Sequence, residues 1–320
     1  MYDVTALGEL LIDFIQNGIS DQGNPVFEAN PGGAPCNVLS MLEKLGYKTA
    51  FIGKVGDDFF GRMLGGVIQE TGISAEGLLY DKEVKTTLAL VHHKEDGDRD
   101  FSFYRKPGAD IMLKAEELSK ELIENSRIFH FGTLSLTDEP AAEATKTALS
   151  WAKKAKSLIS FDPNYRAPLW SSEEAAKEAV WYGIKNCDIL KIADNEIQWL
   201  TGKSLYDEGI EEIRRYAAPK LMNVTLGKEG SIGYCNGKKV YGKPFISDHT
   251  VDTTGAGDTF CACVLGYVLE HGLDDLGERQ LEEMLSFANA AASIVTTRKG
   301  AIRAMPSREE VQAVIQRQTK

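Results

Sequence analysis

The strongest constraint on how this chain can fold is the regular alternation of short apolar runs with longer amphipathic stretches along most of its 320 residues. Neighbouring parallel strands need a crossover, usually helical, so this rhythm marks βαβ units around a largely parallel sheet. The expected strands are Val4 to Gly8, Lys48 to Lys54, Ser126 to Phe131, Ser157 to Asp162, Ile189 to Ile192 and Leu221 to Leu226. Between them, helices are expected at Ala34 to Leu45, Asp58 to Glu70, Glu139 to Ala155, Ser172 to Asn186, Asn195 to Thr201 and Glu208 to Tyr216. Three more, Gly257 to His271, Leu281 to Thr296 and Ser307 to Gln316, close the chain.

Two segments break the rhythm. Asp13 to Asn30 is polar and extended, and Thr86 to Tyr104 alternates in polarity around Asp96-Gly97, a dipeptide suited to a hairpin turn. A small sheet projecting from the α/β body accounts for both, and its natural use is a lid over a site. The chain therefore divides into a core of residues 1–12, 31–85 and 106–320 and a β-lid of residues 13–30 and 86–105.

Composition narrows the partners. A formal net charge of -11 with no run of clustered Lys or Arg argues against a nucleic-acid surface, so an anionic ligand must be met locally. The opening MYDVTALGELLIDF carries no basic leader and reads as a strand, so neither secretion nor a membrane span is expected. Five cysteines, an odd number with no CxxC pair, disfavour a disulfide framework and a zinc site and suit a cytoplasmic protein.

The stretch VDTTGAGDTF, residues 251–260, stands directly ahead of an apolar helical run. Its glycines allow close backbone approach to a ligand, and the free N–H groups opening the helix form an anion site. Asp258 in that first turn would repel a bound phosphate, unless it serves as a general base while the N–H groups hold charge on a transferring phosphoryl group. Two look-alikes fail: Thr201-Gly202-Lys203-Ser204 lacks the earlier glycine of a P-loop, and Gly255-x-Gly257 is followed by Phe260 where a dinucleotide fingerprint needs glycine. A second glycine-rich loop, Asn30 to Asn37, combines with Asp13 to offer a carboxylate, N–H groups and an amide, the groups that recognise sugar hydroxyls.

The loops GGAPCN and DTTGAGD, about two hundred residues apart, resemble the two signatures of the ribokinase-like (pfkB) family of carbohydrate kinases. The resemblance implies a three-layer α/β/α fold with a mostly parallel central sheet and a small β-sheet lid. It further implies transfer of the γ-phosphoryl group of ATP to a sugar hydroxyl, with Asp258 as base and Gly255, Ala256 and Gly257 as anion hole. The stretches FSFYRKPGAD and FDPNYRAPLW are most similar to the fructokinase branch, which implies fructose 6-phosphate as product. The branch acting on 2-keto-3-deoxygluconate is the alternative, and a non-catalytic sugar-binding or scaffold relative is the rival of another class.

On this resemblance the sugar is held by Asp13, Gly32, Gly33, Asn37, Phe103, Arg105, Asn164 and Asp258, with Arg166 neutralising phosphate charge. The nucleotide side comprises Lys191, Glu196, Thr225, Gly227, Gly230, Gly257 and Asn289. Glu196 would organise water around magnesium, although Ala193 replaces the family's usual Asn. Asp252 and Thr254, with carbonyls of Val295, Arg298 and Gly300, would form a potassium site. The exposed edges of a lid sheet favour a homodimer that pairs lids.

Overall fold

The computed structural model describes residues 1–93, 99–247 and 249–318. The expected Asp96-Gly97 turn lies outside the described residues. The strands are β1 (Tyr2–Leu7), β2 (Leu11–Ile19), β3 (Pro25–Gly32), β4 (Thr49–Gly56), β5 (Ser74–Asp81), β6 (Leu88–His93), β7 (Arg99–Tyr104), β8 (Ser126–Gly132), β9 (Leu158–Asp162), β10 (Ile189–Ala193), β11 (Leu221–Thr225), β12 (Ser231–Cys235) and β13 (Lys238–Gly242). The helices are α1 (Ala34–Lys44), α2 (Phe59–Glu70), α3 (Lys120–Glu124), α4 (Ala141–Lys154), α5 (Glu173–Asn186), α6 (Asp194–Thr201), α7 (Tyr206–Tyr216), α8 (Ala256–His271), α9 (Glu278–Val295) and α10 (Arg308–Gln318).

Nine strands form the main sheet in the order β13-β12-β11-β10-β9-β8-β1-β4-β5. It is parallel from β5 to β11, and the β12–β13 hairpin adds antiparallel strands at one edge. Alternate side chains serve opposite faces, as the pleat requires. On β10, Ile189 joins a core with α1, α8 and α9, while Leu190 and Ile192 join a second core with α4, α5 and α7. Burial on both faces explains why these strands read as nearly continuous apolar runs.

The segments expected to project form a separate four-stranded sheet, β3-β2-β6-β7. The β2–β3 pair begins slightly earlier and ends slightly later than the polar pattern suggests, as Leu11 and Ile12 are buried where β2 leaves the body. Three strands escaped the sequence reading. Strand β5 mixes polar and apolar residues at the sheet edge, whereas the β12–β13 hairpin carried a usable signal in Asn236-Gly237, both at positive φ.

Strand order fixes where a ligand can bind. Both β4 and β8 flank β1, so connections diverge to either side of it and leave a crevice at the carboxyl ends of the strands. The loops after β1, β9, β10 and β11 all open into that region, as does the loop that opens α8. Asp58 ties the lid to its rim, since it caps α2 through Gly61 N–H at 2.9 Å and accepts from Thr86 N–H at 2.9 Å. Replacing it (Asp58→Ala) is expected to lower folding stability by about 1–2 kcal/mol, the upper range for a lost cap, read from urea unfolding.

Candidate active site

A cavity of about 350 Å³ lies in the crevice, lined by Asp13 and Phe103 from the lid, Gly33 and Asn37 from the α1 loop, Asn164 and Arg166 after β9, Lys191 on β10, and Gly255, Gly257 and Asp258 at the start of α8. With Thr254, which also lines it, eleven of the expected site residues surround one space. Glycine is required in both loops. A Cβ on Gly32 would lie 2.3 Å from Asp13 Oδ2, and one on Gly33, at φ 122°, would lie 2.4 Å from the Glu9 carbonyl oxygen. Gly255 takes a left-handed φ of 78° to turn the chain into α8, and a Cβ on Gly257 would meet Lys191 Nζ at 3.0 Å. These absences let a carboxylate and an ammonium approach the backbone.

Asp258 is 9% exposed and accepts a 2.7 Å hydrogen bond from Asn37 Nδ2. Burial raises its carboxyl to about 6, and the charge of Asp162 adds to the rise, while Asn37, Lys191 and Arg166 pull it back. A carboxylate in this range is ionised at neutral pH and basic enough to accept a proton. Lys191 is equally buried and pairs with Asp162 Oδ2 at 3.0 Å. Burial works against its charge, but Asp162, Glu196 and Asp258 outweigh it, so its pKa is raised and it stays an ammonium.

The N-terminus of the 16-residue α8 points its first N–H groups and its positive dipole end at this space. Gly257 fits the expected anion hole. The Ala256 N–H turns back to the Thr253 carbonyl at 3.3 Å, which loosens its assignment to that hole. Asn164 adopts φ 45°, a conformation Asn tolerates, and its N–H bonds to Asp162 Oδ1 at 3.2 Å.

Arg105 requires a correction. Instead of reaching from the lid into the cavity, its guanidinium is 3% exposed and is engaged by Asp110 Oδ2 at 2.6 Å, Thr137 Oγ1 at 2.9 Å and the Leu134 carbonyl at 2.7 Å. A planar multi-donor group surrounded by acceptors satisfies itself locally, so Arg105 anchors the lid's exit to the body. Asn289 is likewise taken up, donating from Nδ2 to the carbonyls of Gly242 and Lys243 at 3.1 Å. It fastens the end of β13 instead of standing free.

Thr225, Gly227 and Gly230 form the turn after β11, with Thr225 opposite Ala193 across the sheet and Gly230 pressed on the Gly242 carbonyl. They lie outside the cavity, on the β11 side of Lys191. Glu196 caps its own helix, accepting from Ala193 N–H at 2.8 Å and from Tyr165 N–H at 2.7 Å. The Ala193 bond is one half of a capping box, and the other half is missing because Ala193 has no side-chain oxygen to accept from the helix. Asp252, 5% exposed, joins two loops by accepting from Thr254 N–H at 2.8 Å and Gly300 N–H at 3.0 Å. Val295 accepts from Arg298 N–H at 3.1 Å in the same turn. Among the described residues no group of three or more His, Cys, Asp or Glu could hold a metal.

Two site residues escaped the sequence reading. Glu9 lines the cavity and binds the Ala34 N–H at 2.8 Å, and Asp162 holds Lys191. An acid inside the apolar run LGELLI was the available signal for Glu9. For Asp162 it was an acid at a strand's carboxyl end.

A model of the pfkB family of carbohydrate kinases matches residues 1–308. Fructokinase-2 of Solanum lycopersicum is 41% identical over 310 residues, covering 96% of this chain and 94% of that one. Among solved structures, the fructokinase of Xylella fastidiosa with bound ATP matches with a TM-score of 0.91 at 29% identity, covering 100% of both chains. The fructokinase of Vibrio cholerae in a fructose-, ADP- and calcium-bound form matches with a TM-score of 0.88 at 28% identity, covering 98% of this chain and 99% of that one.

The Arg105–Asp110 pair yields a direct test of the corrected role. Arg105→Ala strands a buried carboxylate and is expected to cost about 3–5 kcal/mol of folding stability, measured by urea unfolding. A substrate contact from a mobile lid would leave stability unchanged.

Proposed function

Because the chain belongs to the pfkB family of carbohydrate kinases, we propose that it transfers the γ-phosphoryl group of ATP to the primary hydroxyl of D-fructose, giving fructose 6-phosphate and ADP. The observation that carries this reading is Asp258, a buried carboxylate tuned to about 6, held by Asn37 at the N-terminus of α8. The sugar hydroxyl attacks the γ-phosphorus, its proton passes to Asp258, and the bond to the β-phosphate oxygen breaks. Charge on the transferring group meets the α8 N–H groups, Arg166 and the Lys191 ammonium. Asp13 and Phe103 bring the lid to the cavity wall, and closure of the lid over bound sugar would exclude water as a competing acceptor.

Fructose is favoured over a sugar acid by charge. At the lid end the cavity presents Glu9 and Asp13, while Arg105, the cation that would greet a carboxylate, is engaged by Asp110. Relatives that act on fructose point the same way. A non-catalytic role is disfavoured by the intact base and anion site.

Magnesium, when bound with ATP, would neutralise its β- and γ-oxygens. The residues fit a water-mediated ion, since Glu196 and Asp162 each keep lone pairs beyond their present bonds. The Asp252 loop fits a monovalent cation by its chemistry, since a carboxylate beside backbone carbonyls is a set of oxygen donors, which suits a hard cation. Thr225, Gly227, Gly230 and Asn289 form the nucleotide side, with Asn289 acting through the end of β13.

The protein is read as a cytoplasmic homodimer that pairs lids. Ile19, Val26 and Phe27 are exposed on β2 and β3, and the five cysteines are free and buried, which suits a reducing compartment. No helix among the described residues is long and apolar enough to cross a membrane. Sedimentation at twice the chain mass is the expected outcome, and a monomer would remove the lid pairing.

Two kinetic outcomes test the chemistry. Asp258→Asn is expected to lower kcat by about 10²- to 10⁴-fold with little change in fructose affinity, and near-normal turnover would exclude the base assignment. The base must be ionised, so log kcat at saturating fructose should fall with unit slope below about pH 6. A panel of fructose, ribose, tagatose, adenosine and 2-keto-3-deoxygluconate as acceptors identifies the sugar.

A further inference from the structure

Glu9 is the one buried ionisable group lining the cavity that phosphoryl transfer leaves without a task. It sits in the turn between β1 and β2, is 4% exposed, and shares the lid end of the cavity with Leu11, Asp13 and Phe103. One of its oxygens has a structural partner. Gly33, the N-cap of α1, has no side chain to satisfy the helix, and Glu9 Oε1 supplies the cap from a neighbouring loop by accepting from Ala34 N–H at 2.8 Å.

That cap fixes the side chain tightly. The Glu9 carbonyl oxygen lies 2.4 Å from where a Cβ on Gly33 would fall, so the two loops pack too closely for a side chain between them. We propose that Glu9 is a substrate-contacting specificity residue, whose second carboxylate oxygen accepts a hydrogen bond from a hydroxyl of the bound sugar and whose charge excludes carboxylated sugars. The inference rests on the sugar-kinase reading. A carboxylate pinned at one oxygen presents the other at a fixed place, which gives direction to the contact.

The surrounding charges support a contact that titrates near neutrality. Burial raises the Glu9 carboxyl to about 7, while hydrogen bonds from its own N–H and from Ala34 N–H, and the charge of Arg105, pull it back and Asp110 adds to the rise. Arg105 and Asp110 stand behind it on the lid's exit, Cys36 faces it from α1, and Asp13, Asp258, Arg166 and Lys191 share the cavity. The ionised form is the stronger acceptor, since charge-assisted hydrogen bonds exceed neutral ones. Sugar affinity should therefore strengthen as pH rises through about 7.

The test is Glu9→Gln, which keeps the shape and an oxygen for the Ala34 cap. With fructose as acceptor at pH 8, the expected result is a KM for fructose raised about 10- to 100-fold, with the KM for ATP unchanged and kcat within about threefold. Calorimetric titration of fructose should show an affinity step near pH 7 in the wild-type protein that is absent in the variant. A loss of kcat at unchanged fructose KM would assign Glu9 to the helix cap alone and overturn the proposal. If the variant does not fold, a wild-type fructose affinity that is flat between about pH 6 and 8.5 overturns it as well. A wild-type protein that phosphorylates none of the panel sugars removes the sugar-kinase reading itself, and this inference with it.

Discussion

Everything at this site depends on keeping a charged lysine out of water. A buried ammonium would ordinarily lose its proton, because desolvation disfavours the charged form. Lys191 keeps its charge because Asp162 lies beside it and Glu196 and Asp258 lie close by. The pairing is built into the sheet: Leu190 on β10 stands opposite Phe161 on β9, so the next residues along, Lys191 and Asp162, are neighbours on one face. Each acid in turn has a second attachment. Asp258 is held by Asn37, Glu196 by the Tyr165 and Ala193 N–H groups, and Asp162 by Asn164 N–H.

The surplus of acid over base around Lys191 explains how one carboxylate can remain a base among the others. Burial, aided by the charge of Asp162, pushes the Asp258 carboxyl up, while Asn37, Lys191 and Arg166 restrain the rise. The rise makes the group a better proton acceptor, and the restraint keeps it ionised at neutral pH. Tuning therefore comes from packing and register. The helix that carries Asp258 fixes its position, as α8 is buried along most of its length and packs against α1 and α9.

Much of this was legible in the sequence, because the parallel sheet and the two glycine-rich loops depend on local pattern. Periodicity located β1, β4 and β8 to β11, since strands buried on both faces leave unbroken apolar runs. It missed β5, where edge exposure dilutes the pattern, and passed over the Asn236-Gly237 turn. Among the expected site residues, those on the glycine-rich loops line one cavity. Arg105 and Asn289 were placed by their type: an arginine near a lid suggests a ligand, but the acceptors that engage it, Asp110, Thr137 and the Leu134 carbonyl, converge only in three dimensions. Glu9 was overlooked for the converse reason, since its partner Ala34 is 25 residues away.

The cavity has two ends of separate origin. On the proposed reaction the sugar end is drawn from β2, β7 and the turns beside them, all on or next to the lid, whereas the phosphate end is drawn from β9, β10 and α8 in the body. The two ends meet chiefly at Asn37 and Asp258. Descent with modification can then reshape the lid strands to admit a different acceptor while the transfer chemistry is inherited unaltered. Such a division lets one scaffold found a lineage of kinases that differ in what they phosphorylate and agree in how.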